Sequence, residues 1–295
     1  MSDKTVTVKP SGGDYTTLAA VIAGELTLNA NLVLMAGILN IEIGGDWSAA
    51  ADTTAVVAAG FTTNANYYLY IYTDTANRAR AKQWDTARYI LYKSEGYVLR
   101  IQSDYVRCNG LQIHASASAG YAPIYISVAT ANNYIQIKNC RLRGTYNKTR
   151  GVYTIDADTV CDVINCILYD HWKAFDITNS LTVNSYNCTV YNSAFSGLER
   201  TAGTVTAINC AVFLTGDDFA GTISIDHCAS DDNDGTNNVA ESSSDANWTE
   251  DFTAAASADF TLLPNSNLVG AGLDDPGAGL FSDDIDGNTR VQWDV

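Results

Sequence analysis

Apolar and polar positions alternate in short runs through the middle of the chain, and these runs repeat. The repeat is clearest when the chain is aligned on its four Asn-Cys pairs. The aligned column then comprises Leu111, Cys140, Cys166, Cys188, Cys210 and Cys228. Apolar residues stand five and three positions before this column and two positions after it, with Ser185 and Ser230 as the exceptions. The alternation of a strand therefore breaks over a three-residue step, which predicts two strands joined by a corner in each repeat.

The residue immediately before the column supports a corner at this position. The six residues there are Gly110, Asn139, Asn165, Asn187, Asn209 and His227. Gly, Asn and His tolerate a positive φ, whereas a β-branched residue would be strained. If neighbouring repeats stack at ~4.8 Å, the Asn amides can also hydrogen-bond from one repeat to the next. The residue that follows, usually Cys, would be a small apolar filler on the inside of the turn.

Successive members of the column are 18 to 29 residues apart, a period that indicates a solenoid. The repeat resembles the right-handed parallel β-helix of the pectin lyase-like superfamily, in which an asparagine ladder lines a tight corner. The resemblance covers roughly residues 95–230. It implies an all-β fold, a right-handed single-stranded parallel β-helix with an N-terminal capping helix and an irregular C-terminal tail.

The two flanks of the repeat extend this prediction. Residues 6–25 indicate a strand, a Gly-rich turn and a short helix, similar to the start of pectin esterase-like and phage-associated β-helix proteins. Thr16 or Thr17 would cap this helix, and Leu18, Val21 and Ile22 would cover the open end of the coils. Residues 259–274 and 284–295 resemble the C-terminal tail of bacterial and viral β-helix proteins. We therefore expect one continuous domain: strand and capping helix (1–30), β-helix coils (31–230) and capping tail (231–295).

Composition and charge narrow the classes of partner. Of 295 residues 17% are charged and 46% hydrophobic, which is typical of a globular protein. The formal net charge of -16 argues against nucleic acid, whose recognition needs a basic face. No window has the features of a signal peptide or the length of a membrane span. The seven cysteines fit the inward columns, so we expect free, buried thiols and not disulfides or metal ligands.

Candidate chemistry lies on the strand after each second turn. The segments 124–127, 152–155, 175–178 and 198–201 align so that Tyr125, Tyr153, Asp176 and Glu199 form one outward column. Asp176 and Glu199 would then lie about 5 Å apart, as the two carboxylates of a retaining glycosidase do. A solvated pair of stacked carboxylates explains the same pattern. The candidate glycan-binding residues are Tyr125, Tyr153, Arg150, His171, Trp172 and Arg200.

Residues 230–241 match half of a calcium-binding loop. Asp232, Asp234 and Glu241 stand at the third, fifth and twelfth positions, but Ser230 occupies the first, where Asp is preferred. The alternative is a plain acidic loop that leaves the last coil. We expect that no cofactor is required, and calcium is the candidate ligand.

Residues 103–113 resemble a segment of phage and marine metagenomic β-helix proteins. The resemblance implies a phage-like virion structural protein: a surface-exposed β-helix acting as capsid decoration, fibre or receptor- and glycan-binding module. Its partners would be other virion proteins or a cell-surface glycan, with no nucleic acid and no membrane insertion, and tailspikes of this architecture suggest a homotrimer. It would be made in the host cytoplasm without a signal peptide and located on the virion surface or, alternatively, outside the cell.

A carbohydrate-active enzyme is the alternative function. It would be a polysaccharide lyase or glycoside hydrolase acting on a cell-surface, plant or algal polysaccharide, with Asp176 and Glu199 as the catalytic residues. Pectate lyases have a calcium-binding Asp cluster and an Arg base, and pectin esterases have a set of Asp, Gln and Arg residues. Neither set can be placed on matching coils of this sequence. Both of these activities are therefore in doubt, and the sequence favours a protein that is not an enzyme.

Overall fold

The computed structural model is a parallel β-solenoid, which confirms the fold predicted from the repeat. It describes residues 2–116, 120–130, 133–155, 158–242 and 245–295. Within these residues one sheet has nine strands and another has twelve, and the pairings along both sheets are parallel. In the same part of the chain, no helix is long and apolar enough to cross a membrane.

The strands are short and follow one another closely along the chain. They are β1 (Lys4–Val8), β2 (Leu39–Ile43), β3 (Val56–Ala58), β4 (Leu69–Thr73), β5 (Ile90–Lys93), β6 (Leu99–Ile101), β7 (Val106–Asn109), β8 (Gln112–Ala115), β9 (Ile124–Ile126), β10 (Asn133–Lys138), β11 (Arg141–Arg143), β12 (Arg150–Thr154), β13 (Thr159–Ile164), β14 (Ile167–Ile177), β15 (Thr182–Tyr186), β16 (Thr189–Arg200), β17 (Thr204–Ile208), β18 (Ala211–Thr215), β19 (Phe219–Ala220), β20 (Ser224–Asp226), β21 (Ala229–Ser230), β22 (Phe252–Ala254) and β23 (Asp259–Leu262). The helices are α1 (Leu18–Asn29), α2 (Leu32–Met35) and a 3-10 turn at Ala255–Ser257.

Each central coil has three faces. The first face is the nine-stranded sheet, to which β10 belongs; β11 follows the corner on the second face, and β12 lies on the third. In the next two coils one long strand, β14 or β16, runs through both the second and the third face. The repeat therefore continues in register although the lengths of its strands change.

The corner between the first and second faces forms as predicted. The backbone φ is 80° at Gly110, 55° at Asn139, 51° at Asn165, 50° at Asn187, 56° at Asn209 and 49° at His227. All six residues thus lie in the left-handed region, which Gly, Asn and His enter with the least strain.

Five cysteines, Cys140, Cys166, Cys188, Cys210 and Cys228, fill the inside of this corner, and Cys108 and Cys161 lie in strands of the first face. All seven are buried, and none forms a disulfide. The Cys166 thiol lies 3.3 Å from the Ile164 carbonyl oxygen and the Cys188 thiol lies 3.4 Å from that of Val163, so the thiols also donate weak hydrogen bonds to the turn. Burial raises the pKa of the Cys166 thiol, which favours its neutral, unreactive form.

Helix α1 covers the N-terminal end of the coils. Thr17 is its N-cap, and its hydroxyl accepts a hydrogen bond from the Ala20 backbone N–H at 3.1 Å. Leu18, Val21 and Ile22 are buried against the core, as the sequence predicted. The prediction of an N-terminal capping helix is therefore confirmed. The helix covers the end of the solenoid, where strand edges and core would otherwise be exposed to solvent.

The C-terminal tail turns back and packs along the side of the solenoid. Its backbone bonds to the corner asparagines, so the amide ladder predicted between coils is only partial. Asn165 and Asn139 do contact each other, with 3.0 Å between their amide groups. The contacts with the tail join Asn165 Nδ2 to the Asp283 carbonyl at 2.7 Å, Asn187 Nδ2 to the Asp294 carbonyl at 2.8 Å and Asn209 Nδ2 to the Leu273 carbonyl at 2.9 Å. The corner amides therefore hold the tail as well as turning the chain.

An antiparallel hairpin of β22 and β23 covers part of the second face. There it forms a second apolar core outside the coils, around an outward column of aromatic residues on β14, β16 and β18. The column is Tyr169, Tyr191 and Phe213, and the covering residues include Trp248, Phe252 and Phe260. Buried Arg141 ties the hairpin down, because its guanidinium donates to the carbonyl oxygens of Arg80 at 2.8 Å and Ala258 at 2.6 Å.

Candidate functional site

The predicted outward column on the third face is present. Tyr125 pairs in register with Tyr153, Tyr153 with Asp176, and Asp176 with Glu199, through the parallel strands β9, β12, β14 and β16. Arg100 on β6 extends the column by one strand. Because strand side chains alternate between faces, the flanking residues of each strand point into the core. The sequence thus placed these four side chains correctly with respect to one another.

Stacked tyrosine rings occupy the N-terminal half of this column. The Tyr97 and Tyr125 ring centroids are 4.0 Å apart with 13° between the planes, and those of Tyr125 and Tyr153 are 5.2 Å apart with 24°. Since the rings stack along the solenoid axis, each covers a face of its neighbour, and Tyr125 is only 6% exposed. The stack therefore offers ring edges to a ligand more than ring faces.

Charged residues occupy the other half of the column and pair with one another. Arg150 Nε donates to Asp176 Oδ2. The Lys173 ammonium lies between the two carboxylates, 2.7 Å from Glu199 Oε1 and 3.6 Å from Asp176 Oδ1. The Ser196 hydroxyl donates to Glu199 Oε2 at 2.9 Å. Two cations and two anions thus form one alternating network.

This pairing weakens the case for the carboxylates as catalytic residues. In a retaining glycosidase one carboxyl group attacks the sugar and the other protonates the leaving group, and both must reach the same glycosidic bond. Asp176 is only 2% exposed and lies beneath Arg150 and Lys173, while Glu199 is partly exposed. The arrangement is that of a structural ion-pair network at the base of a surface.

A pair of aromatic rings, one half-buried and one exposed, lies over this network. The register between β14 and β16 shifts after His171, and Trp172 comes to lie against Phe195, with 5.6 Å between ring centroids. Arg150 approaches the Trp172 ring centroid to 5.4 Å, and the Lys173 ammonium approaches it to 4.6 Å. Phe195 is 51% exposed. We call the surface formed by Arg150, Trp172, Lys173, Phe195 and Glu199 the Trp172 platform.

Two of the candidate glycan-binding residues lie away from this surface. His171 is fully buried, with its Nε2 3.1 Å from the Leu142 carbonyl oxygen, so its ring does not reach this surface. Burial lowers its pKa to about 3, so the ring stays neutral. Arg200 pairs in register with Ile177, outside the column, and its Nε donates to the Gly203 carbonyl at 2.7 Å.

Phe195 was missed in the sequence. Nothing in the neighbourhood of "NSAFSG" predicts that it faces Trp172, because that contact depends on an irregular register between two strands. The difference in length between the two paired strands indicates this irregularity, because β16 has 12 residues and its partner β14 has 11. An extra residue in one of two paired strands is typical of a bulge, which redirects a side chain.

The half-matched calcium loop is acidic and turns back on itself. The Ser230 hydroxyl, at the first position of the motif, accepts from the Asp234 backbone N–H at 3.0 Å. Burial, and the nearby carboxylates of Asp232 and Asp217, raise the pKa of Asp234. Within the residues that the structure describes, no group of three or more His, Cys, Asp or Glu side chains is placed to hold a metal ion. Calcium binding by Asp232, Asp234 and Glu241 remains a prediction.

The comparisons with known proteins add no relative from which a role can be transferred. No protein-family model, no curated protein and no solved structure matches the chain. What the chain shares with other proteins is the parallel β-solenoid fold, and that fold serves enzymes, fibres, adhesins and shells alike.

Proposed function

We propose that the protein binds a neutral glycan and that the Trp172 platform is the binding surface. The observation that carries this proposal is the pair of half-buried Trp172 and exposed Phe195, which lies directly over a hydrogen-bonding network of Arg150, Lys173 and Glu199. Sugar rings have an apolar face and a rim of hydroxyl groups. An aromatic surface beside charged donors and acceptors matches both features.

The charge of the platform favours a ligand without charge. Its two cations are already paired with two carboxylates, so no positive charge is left over to attract an acidic polymer. The whole chain has a formal net charge of -16, which repels polyanions at long range. Neutral hydroxyl groups can still share the paired donors and acceptors, as they do in water-rich binding sites.

We further propose that the protein presents this platform on the surface of a phage-like particle, as a capsid decoration or fibre. The support is the resemblance of residues 103–113 and of the repeat to phage-associated proteins of the pectin lyase-like superfamily. A solenoid suits this role because each coil contacts only its neighbours, which gives an extended and rigid surface. Other virion proteins would be its partners, and a homotrimer is the assembly that this analogy suggests.

A carbohydrate-active enzyme is the second candidate. The register between Asp176 and Glu199 favours it, since two carboxylates on adjacent strands can serve a glycosidase. The cations that contact both carboxylates count against it. Glycan binding without turnover therefore remains the first proposal.

The test is a screen of the full-length protein against immobilised neutral and acidic glycans, followed by titration of any ligand found. We expect Trp172→Ala to weaken binding roughly tenfold or more, because aromatic residues dominate such contacts. Trp293→Ala is a matched control: Trp293 lies in the tail and has an Arg guanidinium 5.3 Å from its ring centroid. Failure to bind any neutral glycan, or an equal loss in both variants, would contradict the proposal.

A further inference from the structure

A cleft of about 240 Å³ lies where the tail crosses the second face. It is separate from the Trp172 platform, which lies on the third face. The rim is the 3-10 turn and the residue after it, 255–258. The walls and the polar edge comprise Trp84, Tyr169, Tyr191, Arg143 and Asp170.

The aromatic walls are held in place by packing on the second face. Trp84 meets Tyr169 edge to face, with 6.4 Å between centroids and 71° between planes. Tyr191 packs against Phe260 of the hairpin in the same manner, at 5.6 Å. These rings are fixed by the fold, so a ligand that enters the cleft meets a preformed aromatic surface and loses little free energy in ordering it.

The cleft also contains a polar atom that lacks a partner. In the described part of the chain, the buried Arg143 Nε has no hydrogen-bond partner. It lies 3.8 Å from Asp170 Oδ2, an ion pair too long for a hydrogen bond. The Arg143 side chain is 41% exposed and that of Asp170 28%, so a molecule in the cleft can reach their charged ends.

The polar groups of the cleft include a protonated tyrosine and a carboxylate. Burial raises the pKa of Tyr169 to about 12, although Arg141 opposes the shift, so its hydroxyl remains protonated and can donate. Asp170 Oδ1 already accepts from the Asn192 amide at 2.8 Å, while its Oδ2 faces Arg143. The cleft therefore combines the donors of Arg143 with one carboxylate acceptor.

We propose that this cleft binds a single neutral sugar ring. Adjacent hydroxyl groups of the ring would bridge Arg143 and Asp170, and its apolar face would lie against Trp84. The volume is below the ~300 Å³ at which pockets begin to enclose drug-sized ligands, so one ring is the largest sugar that fits within it. The Asp170 carboxylate and the acidic chain disfavour a sugar with a carboxylate or sulfate group.

Small residues on the rim keep the cleft open. The rim reads Ala-Ala-Ser-Ala, and Ala256 is exposed. The Ala258 carbonyl is fixed by Arg141, whose guanidinium donates to it at 2.6 Å. A large side chain at position 256 would therefore fill the cleft without touching its polar atoms, whereas Ala256→Ser should leave it open.

The experiment is saturation-transfer NMR on the full-length protein with methyl glycosides of neutral hexoses and deoxyhexoses. A second arm uses oligosaccharides that end in the same sugars, which separates recognition of a free sugar from recognition of a glycan terminus. For one ring we expect a Kd on the order of 1 mM. In a Trp172→Ala background, which removes the platform, Ala256→Phe should abolish the remaining signal, Arg143→Leu should weaken binding roughly tenfold, and Ala256→Ser should leave it unchanged.

Several results would overturn the cleft as a site. One is the absence of transfer from every sugar in both arms at about 20 mM, far above the expected Kd. Another is binding that survives both Ala256→Phe and Arg143→Leu in the Trp172→Ala background, in protein that is folded as judged by the melting temperature. Loss of the signal in Trp172→Ala would assign the binding to the platform instead. The glycan screen with Trp172→Ala and Trp293→Ala tests the platform independently of these outcomes.

Discussion

Two aromatic columns on the outside of the solenoid differ in what lies over them. The column on the second face is Tyr169, Tyr191 and Phe213, and the tail buries it: Trp248 and Phe252 stack on Phe213 with centroid distances of 4.4 and 5.2 Å. On the third face, no β22–β23 hairpin is placed over the tyrosine stack, and Phe195 beside it is half exposed. The first column is part of a core, and the second keeps the partly exposed rings of Tyr97 and Tyr153 at the surface.

The difference between the two columns shows that outward aromatic residues alone do not identify a binding surface. What separates the two columns is their polar surroundings. In the covered column the Tyr191 hydroxyl has a partner within the protein, since it donates to Asn247 Oδ1 at 2.7 Å. Beside the uncovered column lie Arg150, Lys173 and Glu199, and an apolar hairpin laid over them would have to remove water from charged groups. The charged network of the third face therefore disfavours an apolar cover there, whereas buried Arg141 on the second face is satisfied by carbonyl oxygens.

The largest effect is expected from removing a ring of the covering hairpin. Phe252→Ala should lower the free energy of unfolding by about 3–5 kcal/mol, because the ring is 2% exposed and its loss leaves a cavity between Phe213 and Phe260. Urea unfolding and limited proteolysis of the tail would measure it. Phe195→Ala is the matched control on the open face and should change stability by less than about 1 kcal/mol. Equal losses would mean that Phe195 is also part of a core.

A smaller loss is expected from breaking the charged network beneath the open face. Arg150→Met leaves the buried Asp176 carboxylate with Lys173 alone, at 3.6 Å, and should lower the free energy of unfolding by about 2–3 kcal/mol. Asp176→Asn in the same background removes the uncompensated charge and should restore part of the loss, as measured by denaturant titration. If the double variant is as unstable as the single one, packing of Arg150 on Tyr153 explains the effect instead of charge.

The covered column should also be sensitive to pH, through Asp218. Asp231 accepts from the Trp248 indole at 2.8 Å, and Asp218 in turn accepts from the Asp231 backbone N–H at 2.7 Å. Burial raises the pKa of Asp218 to about 7 from an ordinary value of 3.8. Between these values the folded protein binds more protons than the unfolded chain, so the free energy of unfolding falls as pH rises through this window. We expect a loss of roughly 1–3 kcal/mol from pH 4 to 7.

Asp218→Asn provides the control for this pH dependence. In the wild type the Thr215 hydroxyl donates to Asp218 at 2.8 Å. In the variant the amide oxygen can still accept from the Asp231 backbone N–H, and the amide nitrogen can donate to the Thr215 hydroxyl. His171 acts in the opposite sense, because its pKa of about 3 makes stability rise with pH up to about 6.5. The difference between wild type and variant isolates Asp218, and parallel pH profiles would refute its assignment.

The corner and the columns could be predicted because the same pattern of residues recurs in successive coils. Positive φ at Asn or Gly and apolar alternation on both sides are local features, and several repeats agree on them. The same regularity correctly placed Tyr125 above Tyr153, and Asp176 above Glu199.

Departures from the repeat were not predictable. His171 was predicted to contact a glycan, whereas β14 continues through the second turn of its coil and directs that ring inward. The docking of the tail depends on contacts such as Asn187 with Asp294, 107 residues apart, which no local pattern encodes. The role of the corner asparagines as tail ligands therefore required the structure.

The smallest effect on stability, and the sharpest test of the open face, is the loss of one hydroxyl group from the tyrosine stack. Tyr97→Phe keeps the ring that stacks on Tyr125 at 4.0 Å, so stability should change by less than about 0.5 kcal/mol. Tyr134→Phe on the first face should lose about 1 kcal/mol, because its hydroxyl donates to Asp162 at 2.6 Å. Glycan affinity should respond in the reverse order, falling in Tyr97→Phe and unchanged in Tyr134→Phe, and calorimetric titration of both would show it. If Tyr97→Phe alters neither quantity, the glycan does not extend from the platform onto the stack, and the open column serves only to brace the third face.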